Sequence, residues 1–264
     1  MSDTSLYERI ATYLCGQTHF RPAIAIICGS GLSNLSRSLD KSETFSYDII
    51  PEFPSTTIEG HTGELVFGWL GNTQCVCFRG RFHYYEGASM DHVILPIRVV
   101  GLMGVKLVVV TTNSGGLNPD FNVGDVMVIQ DHFGLTGSNS NPLKVENEAV
   151  GPRFPSLSDA YDRELQTMVM EAAEALGLQH KVRPDGTYCH LCGPRHETMA
   201  EARYLRGLGG DSVGASTYPE VIAAKHCGMK VLGLSLVTNK VVFKQDKHTQ
   251  HASHAEVFRP KHTF

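Results

Sequence analysis

No stretch of this 264-residue chain approaches the ~20 consecutive apolar residues that a membrane-spanning helix needs. The polar start, Met1-Ser-Asp-Thr-Ser, is unlike a secretory signal. Positive charge is scarce as well: 23 Lys and Arg stand against 27 Asp and Glu, a net charge of −4. That balance leaves no electrostatic footprint for nucleic acid or an anionic membrane surface, so any bound anion must be held by a local site. Internal repeats and low-complexity linkers are missing, which favours one compact domain over residues 1–264. Cysteine is present without a disulfide framework: seven, an odd number, are scattered along the chain, as suits reduced thiols in the cytoplasm. Cys189-His-Leu-Cys192 matches C-x-x-C, but an offset of three in a strand sends the two thiols to opposite faces, and no second pair completes a zinc site. We read them as buried thiols, with a redox role as the alternative, and expect no metal.

The chain is organised around Ala23-Ile-Ala-Ile-Ile-Cys-Gly-Ser-Gly-Leu32. A short apolar run ending in glycines reads as a strand buried on both faces. Gly-Ser-Gly is either a loop whose N–H groups and Ser30 hydroxyl cradle phosphate or only a tight strand-to-helix turn. It is not a dinucleotide fingerprint, because Asn34 stands where the last glycine belongs, nor a Walker loop, because no Gly-Lys-Ser/Thr follows. Two further apolar runs, 107–112 and 231–237, read as buried strands. The first, like the Ala23 strand, ends in a small-residue turn, here Asn113-Ser-Gly-Gly116, as expected where ligands bind at the carboxyl edge of an α/β sheet, and the second ends at Thr238-Asn-Lys240.

Other elements follow from pattern. Tyr7, Ile10, Ala11 and Leu14 mark one face of an N-terminal helix. A polar connector is expected around 36–60, then a hairpin of strands 65–70 and 74–78 turning at Gly71-Asn72. In extended chain Arg81, His83 and Tyr85 would project from one face, giving an oxyanion clamp or a solvated edge strand. Residues 90–103 read as a helix kinked or started late by Pro96, and 126–131 as a strand. The Gly-, Ser- and Pro-rich stretch 134–155 reads as a lid or interface arm. A helix over 159–176 has Tyr161, Leu165, Met168, Val169, Ala172 and Leu176 on one face. Capping boxes at Thr198-x-x-Glu201 and Thr217-x-x-Glu220 open two more helices. Glu197 and Ser216 each border one of those starts, where the dipole favours negative charge. Glu197 is therefore a functional carboxylate or merely a helix-terminal one. Asn239, at the end of a central strand, can donate and accept at once, as reading a base edge requires.

Taken together, these segments resemble the trimeric, low-molecular-mass purine nucleoside phosphorylases. The resemblance rests on Ile26-Ile-Cys-Gly-Ser-Gly-Leu, Gly80-Arg-Phe-His-x-Tyr-Glu-Gly, Gly115-Gly-Leu-Asn-Pro, Arg153-Phe-Pro, Ser158-Asp-Ala-Tyr-Asp, Gly193-Pro-x-x-Glu-Thr, Ser216-Thr-x-Pro-Glu-Val and Thr238-Asn-Lys-Val, in order across roughly residues 20–257. It implies a single α/β domain whose mixed central sheet curls into a distorted barrel flanked by helices. It also implies cleavage of purine (deoxy)ribonucleosides by phosphate to free base and pentose 1-phosphate, in purine salvage, without metal or organic cofactor. By that resemblance Ser30, His61, Arg81, His83, Ser216 and the Asn113 backbone N–H hold phosphate. Tyr85 bonds the ribose, with His254 (or its rival His251) near the 5′-hydroxyl. Glu197 and Asn239 read the base, Tyr188 helps line the pocket, and Phe154 reaches into a neighbouring site of a homotrimer. Asn239, Glu197 and His83 are the residues expected to carry catalysis. The alternatives are a methylthioadenosine phosphorylase and a homologue that binds purine or phosphate with little turnover.

This chain departs from the family pattern in four places. His196 stands where the family usually has phenylalanine, and Ala215 replaces a methionine under the ribose. Asn113-Ser114 replaces a pair of alanines. Finally, a capping box at Ser253–Glu256 opens a helix shortly before Phe264, where the family continues with a longer one.

Overall fold

The computed structural model describes residues 4–56, 62–134, 141–143 and 150–244. His61, His251 and His254 lie outside the described residues. Among the described residues nine strands form one sheet in the order β2-β3-β4-β1-β5-β8-β7-β6-β9, and β9 pairs back onto β5. The strands are β1 (Ile24–Ile27), β2 (Asp40–Ser46), β3 (Glu64–Leu70), β4 (Thr73–Arg79), β5 (Leu107–Gly116), β6 (Val126–Gly134), β7 (Val182–His190), β8 (Ser212–Gly214) and β9 (Lys230–Lys240). The extra pairing closes β5, β8, β7, β6 and β9 into a five-stranded barrel, while β1 to β4 continue outward as an open wing. β1 lies parallel to both β4 and β5, with Ile27 opposite Phe78 and Val110, so its apolar run is flanked on both edges, as a buried strand should be.

Among the described residues five helices surround the sheet: α1 (Thr4–Gln17), α2 (Met90–Leu102), α3 (Arg163–Ala175), α4 (Met199–Gly207) and α5 (Tyr218–His226). The expected face of α1 is buried at all four positions, Tyr7, Ile10, Ala11 and Leu14. Of these, Ile10 and Leu14 each contribute about 1.5–3 kcal/mol relative to exposure. α1 packs on α2, which packs on α5. α2 starts at Met90, capped by the Ser89 hydroxyl, and runs on through Pro96 rather than starting late. Among the described residues no helix is long and apolar enough to cross a membrane, and no group of three His, Cys, Asp or Glu is placed to hold a metal ion. Cys189 is buried, its thiol pushed up to about 12 by desolvation, which fits an inert core cysteine.

Four expectations need correction. The polar connector contains β2, an edge strand paired only with β3. Its polar sequence is compatible with a strand because it stands mostly in solvent. The Asn113–Gly116 turn is instead the continuation of β5, alongside β9, which runs to Lys240 with Asn239 near its carboxyl end, as expected. The two strands stay paired past a register shift at Ser114/Gly115, with Gly115 opposite Asn239. Glycine is needed there because a Cβ on Gly115 would lie 2.9 Å from Val241 Cγ2. The third helix begins only at Arg163, capped by Asp162. Of its expected apolar face, Tyr161 is buried ahead of the helix, whereas Met168 and Leu176 are exposed. Finally, Arg81, His83 and Tyr85 do not share one run of extended chain: His83 is extended, at φ −118° and ψ 145°, but residues 84–86, Tyr85 among them, form a turn of 3-10 helix.

Candidate active site

The carboxyl ends of β1, β5 and β9, the chain after β4 and β7, and the start of α5 enclose a cleft of about 170 Å³. Ser30, Arg81, His83, Tyr85, Asn113, His196, Glu197, Ala215, Ser216 and Asn239 all line it. Among the described residues, two predicted ones do not. Tyr188 is fully buried behind the wall, its hydroxyl accepting from Ser216 N at 3.4 Å, so it supports the lining without belonging to it. Phe154 is 87% exposed and does not line its own chain's cleft, with the Arg153 guanidinium 5.4 Å over its ring.

One end of the cleft carries positive charge. Arg81, 4% exposed, donates from Nε to Glu220 Oε1 at 3.0 Å and from Nη1 to Ser216 Oγ at 3.1 Å. Ser216 Oγ in turn meets Thr112 Oγ1 at 2.7 Å. The second oxygen of Glu220 accepts from Thr217 N at 3.0 Å, so one carboxylate joins the start of α5 to the arginine. Thr217 has φ +73° and ψ −55°, and Tyr218 N donates to Ser216 O at 2.8 Å. These are the marks of a positive-φ γ-turn, a strained form for a β-branched residue that costs about 1–3 kcal/mol. The strain is stored where the chain turns Ser216 towards Arg81. His83 is fixed through Nδ1, 3.0 Å from Glu86 Oε1, and its ring stacks on Tyr85 at 4.7 Å. Desolvation, with Glu86 nearby, pushes the Tyr85 hydroxyl up to about 12, so it stays protonated and able to donate.

The other end is neutral to acidic. Asn239 projects from β9 beside Thr238, whose hydroxyl lies 3.2 Å from Asn239 Oδ1 and 3.3 Å from Ser114 O. Glu197 and His196 stand on the segment after β7, just ahead of α4. Thr198 caps that helix in the expected box with Glu201, which also pairs with Arg195. Glu197 is therefore not the residue that closes the cap, and its carboxylate remains for the cleft.

Sequence reasoning missed Thr112, Glu220 and Thr238. Glu220 was visible only as half of a capping box, with nothing to show that its other oxygen turns to Arg81. Thr112 lay inside an apolar run, and its register against α5 is a property of the closed barrel.

Beneath the floor, His190 stacks on Tyr218 (5.0 Å, 9°) and His132 meets the same ring edge-on, with Nδ1 2.8 Å from the Tyr161 hydroxyl. Burial pushes both imidazoles down to about 4. The unfolded chain protonates them near 6.5. Between those values it binds more protons than the folded chain, so stability is lost as pH falls from about 6.5 towards 4. His190→Phe, which keeps the stack, is expected to hold its melting temperature better than the unsubstituted protein over that range. Circular dichroism melts at stepped pH check this, and superimposable pH profiles would contradict it.

A family model described as "Phosphorylase superfamily" matches residues 23–261. Purine nucleoside phosphorylase of Mus musculus is 49% identical over 253 residues, covering 95% of this chain and 87% of its own. A solved structure of Schistosoma mansoni purine nucleoside phosphorylase with inosine is 42% identical, with a TM-score of 0.92, covering 98% of this chain and 90% of that one. A purine nucleoside phosphorylase solved with ribose-1-phosphate is 43% identical, with a TM-score of 0.88, covering 92% of this chain and 90% of that one. This chain belongs to the purine nucleoside phosphorylases, the enzymes of the phosphorylase superfamily that split purine nucleosides with phosphate.

Proposed function

We propose that the cationic end of the cleft holds inorganic phosphate and the far end a 6-oxopurine nucleoside of the inosine and guanosine type. The observation that carries this reading is that Arg81, His83, Ser30 and Ser216 line one cleft together with Glu197 and Asn239. The relatives solved with inosine and with ribose-1-phosphate support it.

The reaction breaks the bond between the sugar C1′ and the purine N9, whose electron pair leaves with the base. A phosphate oxygen then bonds to C1′, and the proton that hydrogen phosphate gives up balances the one the departing purine gains. Positive charge builds on the sugar and negative charge on the base in between. Phosphate beneath the sugar stabilises the first. The Asn239 amide hydrogen-bonds the five-membered ring as charge arrives there. Tyr85 donates to the ribose. No metal or organic cofactor enters these steps. The working assembly is a homotrimer in which Phe154, so exposed on the isolated chain, completes a neighbour's site, and the setting is purine salvage in the cytoplasm.

The test is direct. Purified protein is incubated with phosphate and inosine, and hypoxanthine and ribose 1-phosphate are quantified; absence of both overturns the reading. Glu197 sets the base preference, since its carboxylate accepts the N1–H that hypoxanthine and guanine carry and adenine lacks. Glu197→Gln is therefore expected to shrink the ratio of kcat/KM for inosine over adenosine by about 10-fold or more. An unchanged ratio would remove Glu197 from that role.

A further inference from the structure

We infer that the side chain of Asn113 is a positioning residue that fixes the Ser30 peptide for phosphate. The inference rests on the reading of the cationic end as the phosphate site, and it concerns a side chain that stands where the family has alanine.

β1 and β5 are paired up to Ile27 opposite Val110, after which β1 ends and β5 runs on to Gly116. Past that point no strand ladder holds the Gly29–Gly31 loop. Side chains of β5 take over instead. Thr111 Oγ1 accepts from Gly29 N at 2.9 Å and donates to Ile27 O at 2.8 Å. Two residues further along β5, Asn113 Nδ2 donates to Ser30 O at 2.8 Å, across 83 positions of sequence. The loop is pressed against the strand, since a Cβ on Gly29 would lie 3.0 Å from both Thr111 O and Thr112 Cα. Immediately after Ser30 comes Gly31 at φ +77°, a residue with wide backbone freedom and open space around its Cα.

The peptide unit is planar and trans, so its C=O and N–H point in opposite directions. Tying the Ser30 oxygen to Asn113 therefore also sets the direction of Gly31 N–H. It keeps a carbonyl dipole occupied on the amide donor, where an unanchored peptide beside a glycine could flip and turn that oxygen towards the anion. An alanine at 113 cannot do this. The Asn113 side chain thus acts on phosphate through the loop.

Steady-state rates of the full-length enzyme, with phosphate and inosine varied in turn, test the idea on Asn113→Ala and Asn113→Asp. For Asn113→Ala the phosphate KM is expected to rise about tenfold, while the inosine KM moves less than about twofold and saturating phosphate restores most of kcat. Asn113→Asp keeps the shape but loses the donor and adds negative charge, so its phosphate KM should rise about tenfold further. A phosphate KM that stays put, or equal rises in both KM values, overturns the inference. A second measurement does not depend on the variants folding. In the unsubstituted enzyme, the Asn113 side-chain Nδ2 proton that Ser30 O accepts should exchange more slowly than that of an open-chain asparagine before phosphate is added, and exchange at the open-chain rate overturns the tether. Should the unsubstituted enzyme make no ribose 1-phosphate, the functional reading fails by itself. The tether is then judged on phosphate affinity by calorimetry, with the same expected tenfold loss in Asn113→Ala.

Discussion

Arg81→Ala is expected to raise the phosphate KM by roughly 100-fold or more, the loss of charge-assisted hydrogen bonds in a site shielded from water. Inosine binding should change far less. The substitution has a second consequence, because the guanidinium is also the partner of Glu220, itself only 4% exposed. Removing one member of a buried pair typically costs about 3–5 kcal/mol, since the remaining charge stays in a low-dielectric setting. Here Thr217 N still donates to Glu220, which places the cost towards the lower end of that range. Urea denaturation and initial-rate kinetics read the two effects separately. Arg81→Lys restores the charge but not the planar fork that reaches Glu220 and Ser216 together, so it should recover only part of either loss. A phosphate KM within about threefold of the parent in Arg81→Ala would contradict the clamp.

Asn239→Ala carries the other large effect, on kcat instead of on phosphate. An amide placed where charge develops in the transition state is worth about 10²–10³ in rate when removed. The amide is held by its surroundings: Thr238 lies beside Oδ1, and a Cβ on Gly115 would come within 3.3 Å of Nδ2. The expectation is a fall in kcat of about that size with the phosphate KM unmoved. Rapid-quench single turnovers distinguish it from slowed product release. A kcat within about fivefold of the parent would show that the base leaves without this amide.

Much of this arrangement could be read from residue order. The apolar runs at 24–27, 107–112 and 231–237 announced the strands, Gly71-Asn72 the hairpin, and Thr198 with Glu201 a helix start. Each is a local signal, carried by side-chain period or by a backbone group that needs a partner. What stayed hidden was long-range. β2 has no apolar alternation because only one edge is paired and its faces are mostly wet. β8 is three residues long, too short for any period. The glycines at 115 and 116 looked like a turn, because turn and close packing demand the same missing Cβ. Here Val241, Asn239 and Val237 supply the packing. At the site, residue types pointed to Arg81, His83, Ser216, Glu197 and Asn239 through local context and family resemblance. The second layer, Glu220 and Thr112, depends on the geometry of the closed barrel.

The closure of β9 onto β5 has a consequence for how the protein comes to work at all. Ser30, Arg81, Asn113, Ser216 and Asn239 are drawn from almost the whole length of the described chain, and no short segment holds more than a fraction of them. Substrate affinity therefore arises only once β9 has paired with β5 and these residues have been brought together. Before that moment, a nascent or partly melted chain has nothing with which to grip phosphate and nucleoside together. Afterwards, each bound substrate acts as a rivet across distant parts of the polypeptide, adding its binding free energy to the native state alone.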